Sequence, residues 1–163
     1  FTQARFGWSA QTIGLSLGLF GIMMAIVQGG MIRLILRVLG DRKTVSYGLF
    51  FDIAAFGAIA VVTSGTIALI LVPLAALGAV ITPALQGIMS RMVSDDAQGE
   101  LQGVLVSVNA LAMILSPLVM TGMFAAFTRP DAAIYFPGAP FLLSMVLIAI
   151  GVTVFIRARP AER

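Results

Sequence analysis

The sequence contains no cysteine and no histidine, and charged residues make up only 10% of its 163 residues. Without cysteine there can be neither a disulfide nor a thiolate metal site. Without histidine the commonest general base and the commonest metal ligand are missing. These absences remove many hydrolytic and metal-dependent chemistries before any motif is considered.

Apolar side chains are abundant instead, at 60% of the residues. A typical soluble domain is about 45–50% apolar and about 25% charged. Because so few charges cannot cover the surface of a soluble globule, we interpret the chain as a membrane protein whose first partner is the lipid bilayer. The net charge of +3 and the pI near 10.2 do not indicate a nucleic-acid partner, since the basic residues form short clusters between long uncharged runs.

The uncharged runs predict the fold class. A helix needs about 20 consecutive apolar residues to cross a bilayer. Five runs meet or approach that length, which predicts an all-α, polytopic transmembrane helix bundle over residues 1–163. The predicted spans are 12–32, 44–63, 66–90, 101–127 and 140–156.

The basic residues predict the orientation of these spans. Cytoplasmic loops of membrane proteins are enriched in lysine and arginine. Arg5 and Arg129 lie on one predicted side, and the other side holds Arg33, Arg37, Arg42, Lys43, Arg91, Arg157, Arg159 and Arg163. We therefore expect a cytoplasmic C-terminus and an external first residue, which favours a chain that continues a longer protein.

Asp52 is the strongest candidate functional residue. It lies eight residues into the second predicted span, about 12 Å below the cytoplasmic end. A charged side chain at the centre of a spanning helix costs about 2.5–3.5 kcal/mol on insertion scales. Such a residue should face a cavity, where it would couple protons or bind a cationic group. The alternative is an inert acid paired with a structural partner.

Three uncharged polar residues lie within other predicted spans: Gln28, Gln86 and Asn109. Together with Asp52 they supply one polar group from each of four helices, which is how a central aqueous pathway is lined. Hydrogen bonds between helices are the alternative use of each one.

No arrangement of residues indicates an enzyme. The serines have no histidine partner, the acids within the membrane are unpaired, and no glycine-rich phosphate loop opens a helix after a strand. We expect no catalytic activity, no metal site and no cofactor.

Several segments resemble one transporter family, in chain order. GAVITPALQG (Gly78–Gly87) resembles the tenth helix of the tetracycline/proton antiporters of the major facilitator superfamily, and QGELQG (Gln98–Gly103) resembles their loop before helix eleven. GLFFDIAAF (Gly48–Phe56) resembles helix nine, which carries a required intramembrane aspartate. GDRK (Gly40–Lys43) is similar to the loop motif between helices eight and nine, and Gln28 matches a polar position of helix eight.

The resemblance implies that the chain comprises helices 8–12 of a twelve-helix carrier in the bacterial cytoplasmic membrane. The family exchanges protons for a drug, often tetracycline as a divalent-metal chelate. Asp52 would be the coupling or substrate-binding acid, with Gln28, Gln86 and Asn109 along the pathway. The N-terminal half of the same transporter would be the partner.

Within the basic loop Arg33–Lys43, the residues Gly40, Asp41, Arg42 and Lys43 are candidates for gating. They would stabilise one gate state through contacts with the other half, although orientation alone also explains their charge. Met24 stands where some tetracycline carriers have histidine. Two alternatives therefore stay open: a carrier of the same superfamily for an unrelated metabolite or sugar, and a non-transporting membrane scaffold subunit.

Overall fold

The computed structural model describes residues 1–158, and every regular element in that range is helical. A short helix α1 (Thr2–Phe6) precedes five long ones. These are α2 (Ala10–Leu39), α3 (Asp41–Val61), α4 (Gly65–Ser90), α5 (Asp95–Thr128) and α6 (Ala139–Arg157). All five are long and apolar enough to cross a membrane, which confirms the predicted all-α fold class and the number of spans.

The observed helices are longer than the predicted spans and include some of the charged residues that flank them. α2 continues to Leu39, seven residues beyond position 32, because its last segment, Ile32–Leu39, is strongly amphipathic and carries its arginines on one side. α3 begins at Asp41, immediately after Gly40, whose φ of 72° is accessible to glycine at little cost. An acidic first turn suits the positive end of a helix.

Two of the long helices contain an irregular segment. In α2, Val27–Met31 form a π-helical segment, and in α4, Ala76–Val80 form a 3-10 segment. Pro73 and Pro83 flank the 3-10 segment, and a proline cannot donate a backbone hydrogen bond. The two irregular segments pack against each other, and Val27 and Val80 from them form a buried cluster with Ile32.

α3 is the central helix of the bundle and packs against α4 and α6. Its buried residues are small or β-branched: Thr44, Val45, Gly48, Ala55 and Ala60. A Cβ on Gly48 would lie 2.5 Å from Cγ1 of Ile81 on α4, so the glycine allows the two backbones to approach closely. Small residues serve this purpose in membrane helices, where lipid and side chains are equally apolar.

Candidate functional site

A cavity of about 680 Å³ lies between α2, α3 and α4, close to the first residues of α6 and to α1. Its walls are mostly apolar and include Phe20, Met24, Phe56 and Phe141. Among the described residues that line it, Asp52 carries the only ionisable side chain. A concave, aromatic chamber with a single charged group suits a hydrophobic ligand that also has a polar or cationic group.

Asp52 lies at the middle of α3 and is half-buried. Its carboxylate lies directly against Gly78, in the 3-10 segment of α4. Within residues 1–158, neither a salt bridge nor a hydrogen bond joins the Asp52 carboxylate to another residue. A carboxylate in such surroundings is relieved of its unfavourable desolvation when it binds a proton or a cation.

Gln28 on α2 contacts the same segment of α4. Its Nε2 donates a hydrogen bond to the Ala79 carbonyl oxygen at 3.3 Å. Ala79 is four residues before Pro83, so its carbonyl cannot accept the usual helical hydrogen bond from that position. Side chains of neighbouring helices commonly satisfy carbonyls that a proline leaves free in a membrane helix.

Gln86 and Asn109 lie apart from the cavity. Both side chains are exposed on the described chain, Gln86 on α4 and Asn109 on α5, and neither lines the chamber around Asp52. Of the four predicted polar residues, the structure therefore brings Gln28 and Asp52 to one segment and leaves the other two on open helix faces.

The GDRK motif lies where three helices end. Asp41 forms an ion pair with Arg91, which follows α4. Arg42 donates hydrogen bonds to the carbonyl oxygens of Phe155 and Ala158, at 3.1 and 2.6 Å, and its guanidinium lies 5.0 Å from the centroid of the Phe155 ring. Lys43 is exposed. A cation next to the last carbonyls of a helix is favourable because that end carries partial negative charge.

The aromatic residues that line the cavity were not predicted from the sequence. The rings of Phe56 and Phe141 stack at 6.2 Å, and Phe1 meets Phe141 at 4.6 Å. Phe56 follows Asp52 by four residues, so the two share one helix face, and that spacing could have identified it. Phe1 and Phe141 come from distant parts of the chain, and nothing in the sequence pattern indicates that they meet.

The structural role of Arg5 was also not predicted from the sequence. It donates hydrogen bonds to the carbonyl oxygens of Val62 and Val61, at 3.1 and 3.3 Å, where α3 ends. Arg5 and Arg42 thus each bind the carboxyl end of a helix, at opposite ends of the bundle.

Comparisons with known proteins identify the family. The tetracycline resistance protein class C of Escherichia coli is 38% identical over 77% of this chain and 32% of its own length. The class B protein of Escherichia coli is 30% identical over 92% of this chain and 38% of its own length. A human protein, hippocampus abundant transcript-like protein 1, is 26% identical over 92% of the chain and 33% of its own length.

The chain spans about a third of the length of the curated relatives that it matches. No solved structure matches it significantly. The resemblance noted in the sequence is confirmed by the similarity to the tetracycline resistance proteins. The sequence model of the Major Facilitator Superfamily matches residues 1–163, and this multi-pass membrane chain belongs to that superfamily.

Proposed function

We propose that the chain is the C-terminal part of a proton-coupled efflux carrier for tetracycline or a related hydrophobic drug in the bacterial cytoplasmic membrane. The similarity to tetracycline resistance proteins supports the drug class. The observation that carries the proposal is Asp52, half-buried on an aromatic cavity and free of protein partners within residues 1–158.

Competition for Asp52 would couple the drug to the proton. An ionised carboxylate in an apolar chamber is unfavourable unless a positive charge neutralises it. A proton and the cationic group of a drug, or of its metal chelate, would each supply that charge, but the carboxylate cannot hold both. Drug entry would therefore release the proton, and proton entry would release the drug as the carrier alternates between its two open states.

The remaining polar residues would act at the boundary with the rest of the carrier. We place the arginine-rich end of the bundle, with the C-terminus, in the cytoplasm, following the asymmetry of basic residues. The exposed side chains of Gln86 and Asn109 would line the pathway together with the N-terminal half, and Gln28 would lie at its edge. Gly40–Lys43 would stabilise the state in which the cytoplasmic side is closed.

The test is proton release from everted membrane vesicles that contain the full-length carrier, measured with a pH-sensitive dye after tetracycline and Mg²⁺ are added. We expect Asp52→Asn to reduce the signal to background at matched expression, because the amide cannot exchange a proton. Asp131→Asn is the matched control, since it makes the same chemical change on an exposed loop.

The three results separate the parts of the proposal. Loss in Asp52→Asn alone supports both the drug and the coupling acid. Equal signals in Asp52→Asn and the wild type would contradict the role of Asp52. No signal in the wild type would contradict tetracycline as the substrate, and a panel of other hydrophobic drugs and metabolites would replace it.

A further inference from the structure

Gly78 lies against the Asp52 side chain, which supplies the three atoms nearest to the position of a Cβ on this glycine. A Cβ built on Gly78 would lie 2.5 Å from Cγ of Asp52 and 3.0 Å from its Oδ2, and closer still to Oδ1. Real Cβ atoms essentially never make such contacts. The position therefore accepts glycine only, as long as the carboxylate stays where it is.

The backbone around Gly78 is a discontinuity in α4. The 3-10 segment Ala76–Val80 lies between two α-helical parts of α4, Gly65–Ala75 and Ile81–Ser90, and its buried residues are Ala76, Gly78 and Val80. 3-10 stretches within a helix are often points where the helix can bend. Asp52 lies against Gly78 of this segment, and Gln28 is bonded to the neighbouring residue Ala79.

No other charge competes for this contact within residues 1–158. The elements packed against α3 carry their charged side chains at the helix ends and not in the cavity: Arg5 at one end, and Arg33, Arg37, Arg91 and Arg157 at the other. On α3 itself, Asp41, Arg42 and Lys43 lie in the first turn. The charge of Asp52 is therefore felt first by the backbone of the 3-10 segment.

We propose that Gly78 positions the Asp52 carboxylate, and that the 3-10 segment Ala76–Val80 transmits the protonation state of Asp52 to the rest of α4. The inference rests on the proposed function, because it requires Asp52 to exchange protons. When a proton from water adds to one carboxylate oxygen, the negative charge next to the Gly78 backbone is lost. When the proton returns to water, the charge is restored, and the bend in α4 changes.

The functional test compares Gly78→Ala with Gly122→Ala in the full-length carrier. Both substitutions add one methyl group to a spanning helix, but a Cβ on Gly122 meets no atom within 4 Å. We expect Gly78→Ala to lower drug-driven proton release at least ~10-fold, since small misplacement of a reacting group has effects of that order. Exchange of labelled drug at equal pH on both sides should continue, because the binding cavity remains.

A double-mutant cycle tests the contact itself, whether or not Gly78→Ala transports. The melting temperature of the purified full-length carrier is measured for Gly78→Ala, Asp52→Ala and the combination. If the added methyl group collides with Asp52, Gly78→Ala lowers the melting temperature in the wild type but not in the Asp52→Ala background. Such non-additivity is expected of residues in contact and not of distant sites without shared partners.

Each result is decisive. Loss of proton release with retained exchange, together with a non-additive cycle, supports the proposal. Normal proton release in Gly78→Ala, or an equal loss of melting temperature in both backgrounds, overturns it and leaves the function of Asp52 untouched. Normal proton release in Asp52→Asn contradicts the proposed function and this inference together, so the two failures are distinguishable.

Discussion

The α3–α4 pair and helix α5 are both apolar enough to span a membrane, yet they differ in how they pack. α3 buries small residues, and the two glycines Gly48 on α3 and Gly78 on α4 each lie against a side chain of the partner helix. α5 contains no buried residue in its Gln98–Thr128 segment, and a Cβ on Gly103 or Gly122 would meet nothing within 4 Å.

The difference shows that hydropathy and packing are separate properties of a membrane helix. Hydropathy places a segment in the bilayer, because lipid accepts any apolar surface. Packing depends on shape, because lipid tails and apolar side chains attract one another about equally. The glycines of α3 and α4 lie at contacts, whereas those of α5 lie on open faces.

The largest effect on stability is expected from Gly138→Ala, at the start of α6. A Cβ there would collide with the backbone carbonyl group of Ala60 on α3 and lie 3.0 Å from its Cα. Because a backbone cannot turn aside as a side chain can, α6 must move away from α3. Overpacking of this kind typically costs about 1–3 kcal/mol, which a lower melting temperature of the full-length carrier would reveal.

Gly122→Ala on α5 is the control for this comparison. Replacing an open helical glycine by alanine is expected to be neutral or to stabilise by about 0.5–1 kcal/mol. A loss of stability as large as that of Gly138→Ala would contradict this contrast, since it would mean that α5 is covered in the intact protein.

Arg42→Gln is expected to have an intermediate effect. It removes the cation that binds the Phe155 and Ala158 carbonyl oxygens and lies over the Phe155 ring. Charges at helix ends and cation–π contacts each contribute about 0.3–1 kcal/mol at exposed sites. Thermal unfolding of Arg42→Gln should therefore begin earlier than that of Lys43→Gln, whose side chain is exposed and serves as the comparison. Equal stability of the two variants would mean that Arg42 does not hold α6.

The smallest effect is expected from Asp41→Asn, which breaks the ion pair with Arg91. The Arg91 side chain is 62% exposed, and surface pairs are typically worth about 0.2–1 kcal/mol. The difference in melting temperature from the wild type should shrink further as salt is added. An undiminished difference at high salt would indicate that the pair is shielded from water in the intact protein.

The number of spanning helices could be predicted, and Asp52 could be singled out as a candidate, because each depends on local composition. Runs without charge indicated five spans, and an aspartate inside one of them indicated Asp52 as a functional candidate. The helix bounds were harder to predict, because amphipathic turns such as Ile32–Leu39 continue a helix beyond its apolar run.

The sequence by itself determined that this chain crosses a membrane several times and is similar to the tetracycline resistance proteins, because hydropathy, charge and short motifs are properties of neighbouring residues. Only the tertiary structure decided which groups meet. The contact of Asp52 with Gly78, the bond from Gln28 to Ala79 and the binding of Arg42 at the end of α6 join residues far apart in the chain. Their formation depends on how close the helices approach and on how they are rotated, which no local pattern specifies.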